Sequence, residues 1–119
     1  MTDSGLNLTH ELTPQVLALK LTGRMDAENV RHISDEFDRL TSTAMLPVLV
    51  DLADVTFMES LGVALLVRLA KRQRERRLGV AVLPGSGPVA RILGIARLDR
   101  VLNVAFTREA GLQALGIAV

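Results

Sequence analysis

The sequence contains no cysteine, tryptophan or tyrosine, and only three of its 119 residues are phenylalanine. Without cysteine, disulfide bonds, thiolate metal sites and cysteine nucleophiles are all excluded. The same absence fits a reducing compartment, and we expect a cytoplasmic protein. Because aromatic residues are scarce, the core must be aliphatic, which favours a layered α/β or helical packing.

Long apolar runs and a strong net charge are also missing. Stretches such as 61–67 are far shorter than the roughly 20 residues of a membrane helix, and Met1–His10 lacks the pattern of a signal peptide. A net charge of +1 does not suggest a general polyanion binder. We expect one soluble domain over 1–119, with its core at about 6–116, that is a monomer or weak dimer and binds neither membranes nor nucleic acid directly.

Short apolar segments alternate with amphipathic ones along the chain. The spacing of apolar residues and the turn residues between them predict the elements. The predicted strands are 6–12, 15–21, 47–52, 80–83 and 101–106, and the predicted helices are 27–40, 60–77, 89–95 and 107–115. A loop is predicted at 53–59. This order indicates an α/β protein with a mixed, mostly parallel sheet of about five strands and four helices.

Residues that could support catalysis are few. The two histidines, His10 and His32, are not spaced with carboxylates as a metal site requires. Ser60-Leu61-Gly62 forms half of a nucleophile elbow, but Met58 stands where that motif needs its first glycine. We therefore predict a protein that is not an enzyme and that holds no metal or cofactor.

Two further segments admit a functional and a structural interpretation. Gly85-Ser86-Gly87 could cradle a phosphate, but it lacks the rest of a phosphate-binding motif and is flanked by prolines, which favours a turn. The basic cluster 71–77 could bind nucleic acid. No aromatic residues are interleaved with it, so a solvated helix end that complements the helix dipole is favoured.

Ser60 begins the helix predicted at 60–77. Its hydroxyl could cap a free N–H of that helix, and it could equally be a regulated phosphorylation site. The two roles are compatible.

The segment 51–65, Asp-Leu-Ala-Asp-Val-Thr-Phe-Met-Glu-Ser-Leu-Gly-Val-Ala-Leu, resembles the signature of the STAS domain family, and specifically of the bacterial anti-sigma factor antagonists. In that family a Phe-Met-Asp-Ser-x-Gly stretch leads into a helix. Leu21-Thr22-Gly23-Arg24-Met25-Asp26 is similar to the family's Leu-x-Gly-x-Leu-Asp segment. The resemblance extends from about Leu8 to Leu115. One departure is Glu59, where the family usually has Asp.

The resemblance implies that Ser60 is the phosphoacceptor of a partner-switching protein in transcription regulation. An anti-sigma factor that is also a serine kinase would phosphorylate it, and a PP2C-type phosphatase would reverse the reaction. The unphosphorylated form would bind the anti-sigma factor and free a sigma factor. The implied partner-binding residues are Thr22, Gly23, Asp26, Thr56, Phe57, Met58, Glu59, Ser60, Leu61, Gly62 and Ser86.

Other functions also fit the sequence. STAS domains also serve as subunits of lipid-transport ABC complexes and as parts of stress-sensing assemblies. Outside the family, the basic helix end could belong to a nucleic-acid-associated protein, and Ser60 to a hydrolase if a histidine lay beside it in the fold.

Overall fold

The computed structural model describes residues 5–118, so the first four residues of Met1–His10 lie outside the described part of the chain. Four strands and four helices follow in the order β1, β2, α1, β3, α2, β4, α3, α4. The strands are β1 Leu6–Leu12, β2 Leu17–Met25, β3 Val48–Met58 and β4 Val80–Leu83, and the helices are α1 Ala27–Ala44, α2 Ser60–Glu75, α3 Pro88–Ile95 and α4 Arg108–Ala114. Within residues 5–118, no helix is long and apolar enough to cross a bilayer.

The sheet has the spatial order β1-β2-β3-β4. β1 runs antiparallel to β2, whereas β3 is parallel to both β2 and β4. Antiparallel neighbours need only a tight connection, and parallel ones need a crossover, which α1 and α2 supply. The predicted α/β architecture with a mixed, mostly parallel sheet and four helices is confirmed.

Alternating side chains of the central strands divide the core in two. Val48 and Val50 join the larger cluster, where α1, α2 and α3 cover one face of the sheet. Leu49 joins a smaller cluster on the opposite face, which Leu112 of α4 helps to cover. On α1, the buried residues Val30, Ile33 and Phe37 follow helical spacing and face the sheet.

Both parallel strands that lead to the helices are longer than predicted. The loop predicted at 53–59 is wrong, because β3 continues to Met58 and pairs with β2, which continues to Met25. The pairing is irregular between Lys20 and Thr22 and again between Gly23 and Arg24. Gly23 has φ +119°, a conformation that glycine adopts without strain. Polar residues are tolerated in this part of β3 because one face of the strand is open to water.

The predicted fifth strand at 101–106 is also wrong. Only Val104 pairs with the sheet, through a single parallel bridge to Val82. The residues before it form turns, in which Val104 N–H donates to Asp99 C=O at 2.9 Å and Asn103 takes a positive φ of 48°. The segment still covers the edge of β4. Ala105 N–H donates to Val82 C=O at 3.0 Å, and the Asn103 amide donates to Val80 C=O at 2.8 Å.

Candidate functional site

Two strand-to-helix junctions meet at the carboxyl end of the sheet. Met25 and Met58, the last residues of β2 and β3, are neighbours in the register. Glu59 N–H donates to Met25 C=O at 3.1 Å, and the Thr56 hydroxyl donates to Gly23 C=O at 3.3 Å. The predicted segments around Gly23 and around Thr56 are therefore brought together.

The loop that carries Ser86 lies further back along β3. A Cβ atom added to Gly85 would lie 2.9 Å from the Cα atom of Ala53, five positions before Met58. β4 ends early because it pairs with β3 only through Asp51. Ser86 is exposed on this loop, but the loop itself packs near the middle of β3.

Ser60 is the first residue of α2 and its side chain is exposed. The N-cap of this helix is Glu59, and no side chain caps the helix. The predicted capping role of Ser60 is therefore wrong, because a residue at the first helical position lies past the place from which a side chain reaches the free N–H groups. Among the described residues, the Ser60 hydroxyl has no hydrogen-bond partner.

Glu59 connects the two helices that begin at this edge. Its Oε2 atom accepts a hydrogen bond from the N–H of Ala27, the first residue of α1, at 3.3 Å. Asp26, the N-cap of α1, accepts from Asn29 N–H at 2.9 Å. Two carboxylates thus lie where the positive ends of α1 and α2 come together.

Arg24 is a further residue of this surface, which the sequence reasoning missed. Its guanidinium carbon lies 4.2 Å from the centre of the Phe57 ring, and its Nε atom lies 3.8 Å from Oδ2 of Asp26. A cation over an aromatic face is attracted by the ring quadrupole. The pair becomes visible only from the register, in which Arg24 lies opposite Phe57.

Met58 and Gly62 lie beneath the surface and position α2. Gly62 is buried, and a Cβ atom added to it would lie 3.1 Å from Cγ of Met58 and 3.3 Å from Cβ of Met25. A glycine here allows the first turn of α2 to approach the ends of β2 and β3 closely. Leu61 is partly buried against the core.

An apolar hollow of about 390 Å³ lies directly beside Ser60. It is lined by Met58, Glu59, Ser60, Val63, Ile92, Ile95 and Ala96. Ile95 is 76% exposed, so part of the apolar lining of this hollow faces solvent. Sequence reasoning missed α3 here, because nothing in the spacing of Ile92 and Ile95 shows that they pack beside α2.

The histidine and carboxylate side chains are spread over the described part of the chain. Among the described residues, they form no group of three or more His, Asp or Glu side chains that could hold a metal. Neither His10 nor His32 lines the hollow at Ser60. A hydrolase acting through Ser60 would need a base beside the serine, and this hollow is lined by Glu59 and by no histidine.

Comparison with known proteins agrees with this architecture. Residues 8–104 match a protein-family model described as "Mlab, STAS domain". No curated protein matches the chain.

Several solved structures share the fold. An anti-sigma factor antagonist from Mycobacterium paratuberculosis is 18% identical over 97% of both chains, with a TM-score of 0.84. The anti-sigma factor antagonist SpoIIAA in its unphosphorylated form is 22% identical over 95% of this chain and 100% of its own, with a TM-score of 0.73. An anti-sigma-factor antagonist (STAS) domain protein from Planctomyces limnophilus is 28% identical over 94% of this chain and 98% of its own, with a TM-score of 0.73.

Proposed function

The chain belongs to the STAS domain family, and we propose that it is an anti-sigma factor antagonist that binds a cognate anti-sigma factor and thereby releases a sigma factor. The observation that carries the proposal is the exposed, unpartnered hydroxyl of Ser60 at the start of α2. Around this hydroxyl lie polar groups of the β2–α1 and β3–α2 junctions and the apolar hollow beside Ser60. Binding surfaces combine apolar area with placed polar groups in this way.

Phosphorylation of Ser60 would switch this binding off. The anti-sigma factor, acting as a serine kinase, would transfer the γ-phosphoryl group of ATP to the Ser60 oxygen, with loss of the hydroxyl proton and release of ADP. A PP2C-type phosphatase would return the hydroxyl by hydrolysis and release inorganic phosphate.

The fold would tolerate the added charge. A phosphate on the first residue of α2 lies at the positive end of the helix dipole, which stabilises an anion by about 0.3–1 kcal/mol at an exposed site. Ser60 is exposed, so the phosphate would stay hydrated in the free protein. We therefore expect no refolding.

A bound partner would not tolerate a phosphate on Ser60. A phosphoserine carries close to two negative charges at neutral pH, and here it would adjoin the Glu59 carboxylate and the hollow containing Ile92 and Ile95. A partner seated on that hollow would desolvate the dianion, a penalty of several kcal/mol unless cations meet it. Since about 1.4 kcal/mol changes affinity tenfold, this suffices to release the partner.

The test uses the full chain, a candidate anti-sigma factor purified from the same organism, and ATP. One phosphate should be added, and peptide mass spectrometry should locate it on Ser60. Ser60→Ala should remain unlabelled, whereas Ser34→Ala, which changes a serine of α1 outside the predicted partner-binding surface, should be labelled normally. Labelling at another residue, or no labelling by a kinase shown to bind the chain, would rule out this phosphoacceptor.

Partner binding is measured separately by calorimetry. The unmodified chain should bind the anti-sigma factor, and Ser60→Asp should reduce the affinity by a hundredfold or more if the mismatch amounts to about 3 kcal/mol. Undiminished binding of Ser60→Asp would contradict the switch while leaving the partner assignment intact.

A second candidate function is that of a STAS subunit in a lipid-transport ABC complex. The matching family model supports it, because its description, "Mlab, STAS domain", names no anti-sigma factor. Affinity purification of the chain from its own cells distinguishes the two. Co-purification of a transporter ATPase, in place of an anti-sigma factor, would favour the second function.

A further inference from the structure

The basic segment at the end of α2 divides between two faces of the helix. Arg68, Arg72 and Arg76, spaced four residues apart, point toward α1. Arg68 donates to Asp38 at 2.9 Å, and Arg72 donates to the Thr41 hydroxyl. Arg76 donates to Ser42 C=O at 2.9 Å, near the end of α1, where carbonyls lack helical partners. These three cations therefore stabilise the packing of α1 on α2.

Lys71 and Arg74 lie on another face and have no such role. Both are exposed, and no carboxylate among residues 5–118 lies within ion-pair distance of either. One turn before Lys71, on the same side, lies Val67. A helix that keeps two unpaired cations beside an exposed valine presents both charge and apolar surface to solvent.

These residues form one wall of a groove of about 380 Å³. Its lining residues are Val67, Ala70, Lys71, Arg74, Leu78, Gly79, Val80, Val101 and Asn103. Val67 is 40% exposed and Val101, on the facing wall, is 54% exposed. The groove therefore has an aliphatic interior and a basic rim, and it extends along about two turns of α2.

From this arrangement we propose that the groove, hereafter the α2 groove, docks an acidic amphipathic helix of a partner protein. The apolar side of that helix would cover Val67 and Val101, and its acidic residues would lie against Lys71 and Arg74. Helices bind grooves in this way through an apolar stripe, and complementary charges set their orientation.

Other occupants fit the α2 groove less well. Nucleic acid would use phosphate contacts and aromatic stacking, and the groove offers two cations and no aromatic side chain. A second copy of the chain bound through this face would bring Lys71 and Arg74 of the two copies together, and like charges in an interface are unfavourable.

The proposal does not depend on the phosphorylation of Ser60. Ser60 lies at the opposite end of α2 and lines a different hollow. Failure of the groove test would therefore leave the proposed switch unaffected, and the reverse also holds.

The probe is a fluorescein-labelled peptide of 18 residues designed as an amphipathic helix, with leucines on one side and glutamates beside them. Fluorescence anisotropy should show saturable binding to the full chain. Lys71→Glu with Arg74→Glu should weaken it by roughly tenfold or more, as should Val67→Asp. The control is Arg31→Glu with Arg39→Glu, two exposed cations of α1 that give the same change in net charge. This variant should bind the peptide as tightly as the unmodified chain does. A second peptide, in which lysine replaces each glutamate, should not bind the unmodified chain.

Several outcomes would overturn the proposal. Equal weakening by both double variants would mean that net charge alone attracts the peptide. A concentration-dependent dimer, lost in the Lys71→Glu and Arg74→Glu variant, would assign the groove to a second copy. Binding to phosphatidylglycerol vesicles with the same sensitivity, and none to the peptide, would assign it to a membrane. Circular dichroism tests whether each variant is folded. If the Val67→Asp variant is unfolded, Val67→Ser is used in its place.

Discussion

The side chain of Glu59 joins the starts of α1 and α2: the residue is the N-cap of α2, and its Oε2 atom accepts a hydrogen bond from Ala27 N–H at 3.3 Å. An aspartate would place its carboxylate one methylene closer to its own backbone. The glutamate at this position therefore gives the chain a contact between two helix N-termini, immediately beside Ser60.

Neutralising this carboxylate should weaken the fold slightly. Glu59→Gln keeps an acceptor for Ala27 but removes the charge that both helix dipoles favour, so we expect a loss of about 0.3–1 kcal/mol in the free energy of unfolding. Urea denaturation measures it, and high salt should reduce the difference. Glu75→Gln is the matched control at the other end of α2, where removing a negative charge should not destabilise. Equal losses at the two positions would contradict the dipole explanation.

Ser60→Asp should leave the stability of the free chain nearly unchanged. The hydroxyl has no partner among the described residues, and a carboxylate at the first position of α2 is favoured by the helix dipole. We expect the free energy of unfolding to change by less than about 1 kcal/mol. Thermal unfolding followed by circular dichroism measures this. A large loss of stability would show that Ser60 has a structural role.

The size of residue 62 should control the position of α2. In Gly62→Val the added atoms would meet Met58 and Met25, whose side chains already lie within 3.1–3.4 Å of an added Cβ. Such overpacking costs about 1–3 kcal/mol. The control is Gly94→Ala in α3, where nothing lies within 4 Å of an added Cβ. There we expect a gain of roughly 0.5–1 kcal/mol from helix propensity. A Gly62→Val variant as stable as the parent would disprove the close approach.

Gln73 should be required for the junction between α2 and β4. It is buried, and its amide donates to Leu46 C=O and to Gly79 C=O, each at 2.9 Å. Gly79 C=O also accepts from Val48 N–H, so Gln73→Leu would leave mainly Leu46 C=O without a donor. The expected loss is about 1–3 kcal/mol. Exposed Gln113 in α4 provides the control, since Gln113→Leu should change stability by less than about 0.5 kcal/mol.

One ion pair on the open face of the sheet should make stability depend on alkaline pH. Asp54 accepts a hydrogen bond from Lys20 and, with a smaller contribution from the charge of Asp51, raises the Lys20 pKa above its usual 10.5. Because the folded pKa is the higher one, the stabilisation is present below pH 10.5 and is lost as the pH rises through the folded value. The effect is small because both side chains are exposed.

A comparison of Asp54→Asn with the parent at pH 8 and above pH 11 tests this. The variant should be slightly less stable at pH 8, and the two should converge at the higher pH. Asp35→Asn, an exposed change on α1, is the control and should show no convergence. A difference that persists above pH 11 would contradict the role of Lys20.

The regular parts of the fold follow from local patterns. The segment around Val48 and Val50 is apolar on both faces and becomes a central strand, and Ile33 and Phe37 follow helical spacing and become the buried side of α1. The composition of the second half of β3 predicts a loop, because polar residues are frequent there. Its extended conformation comes from pairing with β2. This is a tertiary contact, which the local sequence pattern does not predict.

Only part of the candidate site can be predicted from the sequence, for a similar reason. Ser60, Glu59, Thr56 and Gly23 are placed together by the structure, and all four lie in the two segments that carry the family resemblance. The position of Arg24 over Phe57 depends on strand register, and the hollow at Ile95 depends on how α3 packs beside α2. Neither feature can be predicted from the spacing of residues in the sequence.

The hydrogen bonding at the two edges of the sheet limits how folded chains can aggregate. On β4, the carbonyls of Val80 and Val82 already accept hydrogen bonds from the Asn103 amide and from Ala105 N–H, so a foreign strand would have to displace this segment to pair there. Within the described residues, no strand lies on the outer side of β1. Fibril growth by strand addition needs two open edges per molecule. If β1 is the edge at which folded chains pair, each chain can be extended once, and edge-to-edge assembly of folded chains ends with a pair of molecules.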